Sequence, residues 1–217
     1  MYEGKIYDIN FKKIYELKQG KGRIKLYNDF CDYIIFEGEY LNGEKNGKGK
    51  EYYENGRIKF EGEYLNGKRW NGFGYNTRNN KVFELLNGYG LVKNYYDNGK
   101  IKFEGEFLNG EKNGKGKEYY ENGRIKFEGE YINGRKNGKC KEYNENISLE
   151  FEGEYLDDLK NGEGKEYDMR GKIIFKENIY IIIKLEEENI IKVNWNMKVN
   201  IYMIKNIMVK DMILKVI

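Results

Sequence analysis

Histidine, proline and alanine are absent from the 217 residues, and serine, threonine and glutamine occur once each, as Ser148, Thr77 and Gln19. Acid/base chemistry through imidazole and imidazole metal sites are therefore excluded, and hydroxyl nucleophiles are nearly so. The two cysteines, Cys31 and Cys140, are too few for a thiolate metal site and neither sits in a C-x-x-C pair, which points to a reduced compartment. An excess of one charge is also missing: 39 Lys+Arg against 36 Asp+Glu leave a formal net charge of +3. The longest uninterrupted apolar run, Ile179 to Ile183, is too short to span a bilayer. The first residues lack the apolar core of an export signal, so a cytoplasmic protein is expected and the sequon at Asn146-Ile147-Ser148 reads as a coincidence. With 39% hydrophobic residues and 27 glycines, a thick globular core is not expected. The abundance of Lys, Asn, Ile, Tyr, Phe and Glu is also what AT-rich coding DNA imposes.

What is present is a repeat. Phe36-Glu37-Gly38-Glu39-Tyr40-Leu41-Asn42-Gly43 returns at Phe60, Phe103, Phe127 and Phe151, and a shortened copy opens at Phe83. A similar short form stands at Tyr15 to Gly22. The second half of the unit, Asn46 to Gly56, recurs from Asn113 and, with substitutions, from Asn137 and Asn161. In Arg57 to Tyr64 the apolar Ile58, Phe60 and Tyr64 alternate with Lys59, Glu61 and Glu63, a period of two that predicts a strand. Asn-Gly at the strand ends supplies the positive φ of tight turns, so each unit is predicted to be a β-hairpin. A lone hairpin leaves its apolar face uncovered. Stacking copies edge to edge lines their rings into rows, and glycines on the same face, such as Gly62, leave room for rings to lie against backbone.

The order Phe36, Gly38, Gly43, Gly47, Gly49 resembles the MORN repeat (membrane occupation and recognition nexus). Tyr52-Tyr53-Glu54-Asn55-Gly56 is similar to the variant of that repeat in bacterial antitoxin-like proteins. The resemblance covers roughly residues 2 to 175. It implies an all-β fold, an elongated single-layer antiparallel sheet of tandem hairpins, serving as a scaffold, a dimerisation module or a phospholipid-binding segment. Departures are the period of 24, Phe in place of a leading Tyr, and Cys140 where Gly49 predicts glycine.

Two regions follow: residues 1–177 as the hairpin array and 178–217 as a divergent Ile/Lys/Met-rich tail. From Val193 through Trp195, Met197, Val199 and Ile201 to Met203 the tail alternates like a strand. Three readings stand side by side: a cap for the open sheet end, a frameshifted remnant of repeat DNA, or a basic apolar stretch, Met197 to Ile217, at a membrane surface.

Candidate chemistry fails on spacing. Gly43 to Lys48 is one residue short of a phosphate loop, and Asp157 to Gly162 lacks calcium-loop ligands. Paired carboxylates such as Glu37/Glu39 and Glu61/Glu63 recur in every unit, which suits a solvated face with lysine neighbours better than a single catalytic centre. No enzyme activity, cofactor or metal is expected. Nucleic acid is not expected as a partner, because each basic residue has a glutamate close by. The expected function is a non-catalytic scaffold for protein contacts or self-association; the alternative is peripheral binding to anionic phospholipid. The surface for either role is the aromatic face of Phe36, Tyr40, Phe60, Tyr64, Phe103, Phe107, Phe127, Tyr131, Phe151 and Tyr155, serving structure or partner contact. Trp70, between Arg69 and Asn71, is read as a turn aromatic, either an exposed contact or a ring folded over its own hairpin.

Overall fold

The computed structural model describes residues 4–7, 13–17, 20–30, 33–178, 180–185 and 189–194, with side-chain surroundings for 20–30 and 33–176. No helix occurs among them. The strands are β1 (Gly4–Tyr7), β2 (Lys13–Leu17), β3 (Lys21–Tyr27), β4 (Ile34–Leu41), β5 (Glu44–Tyr52), β6 (Ile58–Leu65), β7 (Lys68–Tyr75), β8 (Lys81–Leu85) and β9 (Gly90–Tyr95). They continue as β10 (Ile101–Leu108), β11 (Glu111–Tyr119), β12 (Ile125–Ile132), β13 (Arg135–Tyr143), β14 (Leu149–Leu156), β15 (Leu159–Tyr167), β16 (Ile173–Asn178), β17 (Tyr180–Leu185) and β18 (Asn189–Asn194). Every pairing is antiparallel between sequence neighbours, so the chain is an open array of hairpins, as the alternation predicted.

The described strands form two large sheets and two separate pairs, β1 with β2 and β17 with β18, rather than one ribbon. A first sheet runs β3 to β8 and a second runs β9 to β16. At the shortened copy only the bridge Leu86↔Tyr89 joins β8 to β9. The physical reason is length: β8 has 5 residues and β9 has 6, where the regular strands have 8 or 9, so the ladder stops. Beyond β16, β17 and β18 pair only with each other, with β17 against β15. The alternating segment expected from Val193 to Met203 lies outside the described residues after Asn194, as do the cap, remnant and membrane readings of that stretch and Cys31.

Two kinds of turn close the hairpins, and they gather on opposite margins. On one margin Asn and Gly both take positive φ, as at Asn42 (51°) and Gly43 (89°), in the two-residue turns that match strand twist. These turns are themselves linked: Gly67 N–H donates to Lys45 C=O at 2.9 Å, Gly134 to Lys112 at 2.8 Å, and Asp158 to Lys136 at 3.0 Å. The chain of turns continues where the strand ladder fails, through Gly88 N–H to Trp70 C=O (2.7 Å) and Gly110 N–H to Gly88 C=O (2.9 Å). On the other margin Tyr hydroxyls reach the next hairpin: Tyr53 donates to Tyr75 C=O at 2.8 Å, Tyr96 to Tyr119 at 2.7 Å, and Tyr120 to Tyr143 at 2.8 Å.

These longer turns end on a positive-φ residue, Gly56, Gly99, Gly123 or Gly171, with Asn79 in one hairpin and Ile147 (68°) in another. A β-branched side chain is strained there. Ile147→Gly is expected to raise stability by roughly 1 kcal/mol, measured by denaturant melts.

Candidate functional site

Pairing sets glycine opposite glycine along each sheet. Gly38, Gly49, Gly62 and Gly72 form one track. Gly105, Gly116, Gly129, Cys140, Gly153 and Gly164 form the other. The phenylalanine of each unit lies over this track. A side-chain carbon at Gly49 would stand 2.7 Å from Phe36 Cζ, and one at Gly116 would stand 2.9 Å from Phe103 Cε2. Only glycine lets a ring come so close to backbone. Tyrosines, and Phe107 in one unit, meet the phenylalanines edge to face, with centroids 5.3–6.2 Å apart and interplanar angles of 67–90°. Each such contact contributes about 0.5–1.5 kcal/mol beyond burial.

The ten rings are therefore part of the packing of the molecule. Phe36, Phe60, Tyr64, Phe103, Phe127, Tyr131, Phe151 and Tyr155 are buried, whereas Tyr40 and Phe107 are half-buried. Phe107 packs against the clusters of both sheets, and Val92 of β9 belongs to the cluster of the first sheet. Trp70 is not in a turn: it lies in β7, half-buried, with its carbonyl bonded to Gly88. The reason is that the turn consists of Asn66 and Gly67 alone, so the strand resumes at Lys68.

A lysine covers each ring pair. Lys45 Nζ is 4.3 Å from the Phe36 centroid and 5.4 Å from that of Tyr64, and forms an ion pair with Glu51 at 3.6 Å. Lys136 repeats this over Phe127 (4.2 Å) and Tyr155 (5.3 Å) with Glu142 (2.7 Å). Lys160 lies over Phe151 with Glu166. Cation–ring attraction and a carboxylate thus stabilise the same ammonium. Strand alternation alone did not reveal these lysines and glutamates. The register does, since Glu51 faces Phe60 and Lys45 faces Tyr40, on either side of a bulge between Gly38 and Tyr40.

At the joint between the sheets arginine replaces this lysine. Arg69 lies 4.8 Å over Phe60, and its Nε and Nη2 both donate to the Glu51 carboxylate. Its Nη1 crosses to Asn94 Oδ1 of β9 at 3.0 Å. The Tyr64 hydroxyl donates to Glu51 at 2.9 Å. Further ties span the joint: Lys68 to Glu111 at 2.8 Å, and Glu54 N–H to Asp97 Oδ1 at 2.9 Å. Burial would raise the Glu51 carboxyl, but the charge and hydrogen bonds of Arg69, with Lys45 and Tyr64, outweigh it and hold the group at about 2.

The opposite face is charged. Glu61 pairs with Lys50 at 2.8 Å, Glu104 with Lys93 at 2.9 Å, and Glu152 with Lys165 at 2.7 Å, each across adjacent strands. Burial pushes the Cys140 thiol up to about 12, so it stays protonated and inert at neutral pH. Among the described residues, no group of His, Cys, Asp and Glu side chains could hold a metal ion.

Fold and face together define a single-layer hairpin-repeat protein whose chemistry is shared among its copies. The sequence model of the MORN repeat matches residues 36–56, 103–123, 127–146 and 151–171, and that of a MORN repeat variant matches 89–109. The chain thus carries tandem MORN repeats. The hairpin of β6 and β7 falls outside these matches yet continues the same sheet. No curated protein matches the chain. MORN repeats are known for contacts with proteins and membranes, and the family is generally non-catalytic.

The Glu51–Arg69 pair gives an acid signature. The folded carboxyl is depressed from 4.5 to about 2. Its contribution is complete above pH 4.5 and is lost as pH falls through that window, by up to about 3 kcal/mol. Arg69→Lys keeps an ammonium over Phe60 but gives up the bidentate bond and Asn94. The variant is expected to lose roughly 1–3 kcal/mol at pH 7 and to show a shallower fall in acid, read from melts at graded pH.

Proposed function

We propose that the chain is a non-catalytic repeat scaffold that mediates protein–protein interaction, including self-association, through its extended β-sheet. The observation that carries this reading is the repetition of one ring–lysine–carboxylate set in unit after unit. Lys45/Glu51, Lys112/Glu118, Lys136/Glu142 and Lys160/Glu166 are the same pair in four hairpins. Side chains that elsewhere do chemistry here hold the sheet together. The charged face remains open along the array. We propose further that residues 1–177 are the binding array, that 178–217 are a divergent segment, and that the protein is cytoplasmic, with any membrane contact peripheral.

Peripheral binding to anionic phospholipid is the second reading, and exposed lysines on the charged face favour it. Against it, many of these lysines are neutralised by glutamates of the neighbouring strand. Sedimentation of the full chain across concentrations, beside capture of proteins from native-cell extract and co-sedimentation with anionic vesicles, separates the two. Self-association or a specific captured protein, with no vesicle pelleting at about 0.15 M salt, is the expected result. Salt-sensitive pelleting with neither protein contact would replace this reading with the lipid one.

A further inference from the structure

We infer that the charged face of the second sheet is a docking channel for an acidic peptide segment with an apolar anchor, an inference that rests on reading the chain as a protein-binding scaffold. Two hollows of about 730 and 720 Å³ lie on this face and share Lys139, Cys140 and Lys141, so they form one channel along the sheet. Its floor is the backbone of the glycine track from Gly105 to Gly164, and its walls are the charged residues on either side of each glycine.

The charges are not equally engaged. Glu128 is held by Lys117 (3.5 Å) and by the Tyr143 hydroxyl (2.8 Å), and Glu152 by Lys165 and the Tyr167 hydroxyl (2.8 Å). These are the two carboxylates that face Lys141 in the register. Glu106 turns over the bulge at Gly114 and accepts the Lys115 N–H at 3.2 Å, while Glu130 lies over Gly138 and Glu154 over Gly162. Among the described residues no ion pair engages Lys115, Lys139 or Lys141, and all three are exposed. The lining of the first hollow holds five lysines against three glutamates. That imbalance complements an anion.

One end of the channel is apolar. Where a regular unit has Lys48 and Lys59, the shortened copy has Leu91 and Val82, and both line the channel. Leu91 is 73% exposed, an aliphatic side chain without cover beside a polar groove. Leu91 is on β9, Lys115 on β11, and Lys139 and Lys141 on β13. Alternate strands are about 9.6 Å apart, and a partner in polyproline II conformation, which returns to the same face every third residue, spans about 9.3 Å in three residues. A partner with an apolar residue at Leu91 and acidic residues three and six positions further on would meet every unpaired lysine. The intervening positions would pass over the engaged glutamates. Discrete steps of this kind select a peptide over a diffuse anionic surface.

The test is fluorescence anisotropy with a labelled peptide carrying leucine and, three and six residues on, glutamate, titrated with full chain at low salt. A peptide with lysines for the glutamates and anionic vesicles serve as the alternative ligands. Wild type is expected to bind the acidic peptide, at least tenfold tighter than the basic one. K115Q/K139Q/K141Q and L91K should each weaken it at least tenfold, with unchanged circular dichroism. K48E, an exposed lysine of the first sheet, should leave binding unchanged. No binding up to roughly 1 mM, equal binding by the triple variant, or binding to vesicles alone would overturn the inference. Self-association or a captured protein that survives in the triple variant would then leave the scaffold reading intact, so the two failures are distinguishable.

Discussion

The structure depends on one contact: a phenylalanine ring lying on the backbone of two paired glycines. A single-layer sheet has no second layer to bury its apolar face, so each ring must find cover within its own layer. Glycine below, a tyrosine edge beside and a lysine stem above supply that cover for Phe36, Phe127 and their equivalents. The arrangement explains why aromatic and glycine positions recur together, and why the lysine and glutamate that join them sit on the apolar face. Cys140 is the one described member of the second track that is not glycine. It fits as a small buried side chain next to Phe127 and leaves the register unchanged.

The shortened copy alters shape without ending the packing. Strand pairing lapses between β8 and β9, yet the turn-to-turn bonds, Phe107 and Arg69 carry the contacts across. Arginine suits that place because its planar fork holds a carboxylate in two bonds while a third nitrogen reaches Asn94. A lysine, as at the same point in regular units, has one charged centre and would serve only one side of the joint. The same copy exchanges Lys48 of the charged face for Leu91, so the break in pairing coincides with a break in surface chemistry.

Much of the fold was legible in the residues. The alternation around Phe60 and Tyr64 gave the strands, Asn-Gly gave the short turns, and the recurrence of both gave the open antiparallel array. What escaped was set by partners distant in the chain. Glu51 reads as one more acidic residue of a polar strand, and only its register with Phe60 puts it on the ring face. Bulges such as that between Gly38 and Tyr40 shift the parity that a simple count relies on. Trp70 reads as a turn residue because the two-residue length of Asn66-Gly67 is not evident from composition. The joint was hidden for a related reason: the shortened copy was visible, but the link from Arg69 to Asn94 has no local signature.

If rings and joint form one continuous packing, the two sheets should unfold together although they share almost no strand ladder. Denaturant-dependent hydrogen exchange on the full chain tests this most directly, comparing amides of β5 and β6 with those of β11 to β14. The expected result is that both sets merge into one unfolding isotherm, and that Phe60→Ala lowers the protection of both. Two separate isotherms, with the second sheet indifferent to Phe60→Ala, would contradict the account.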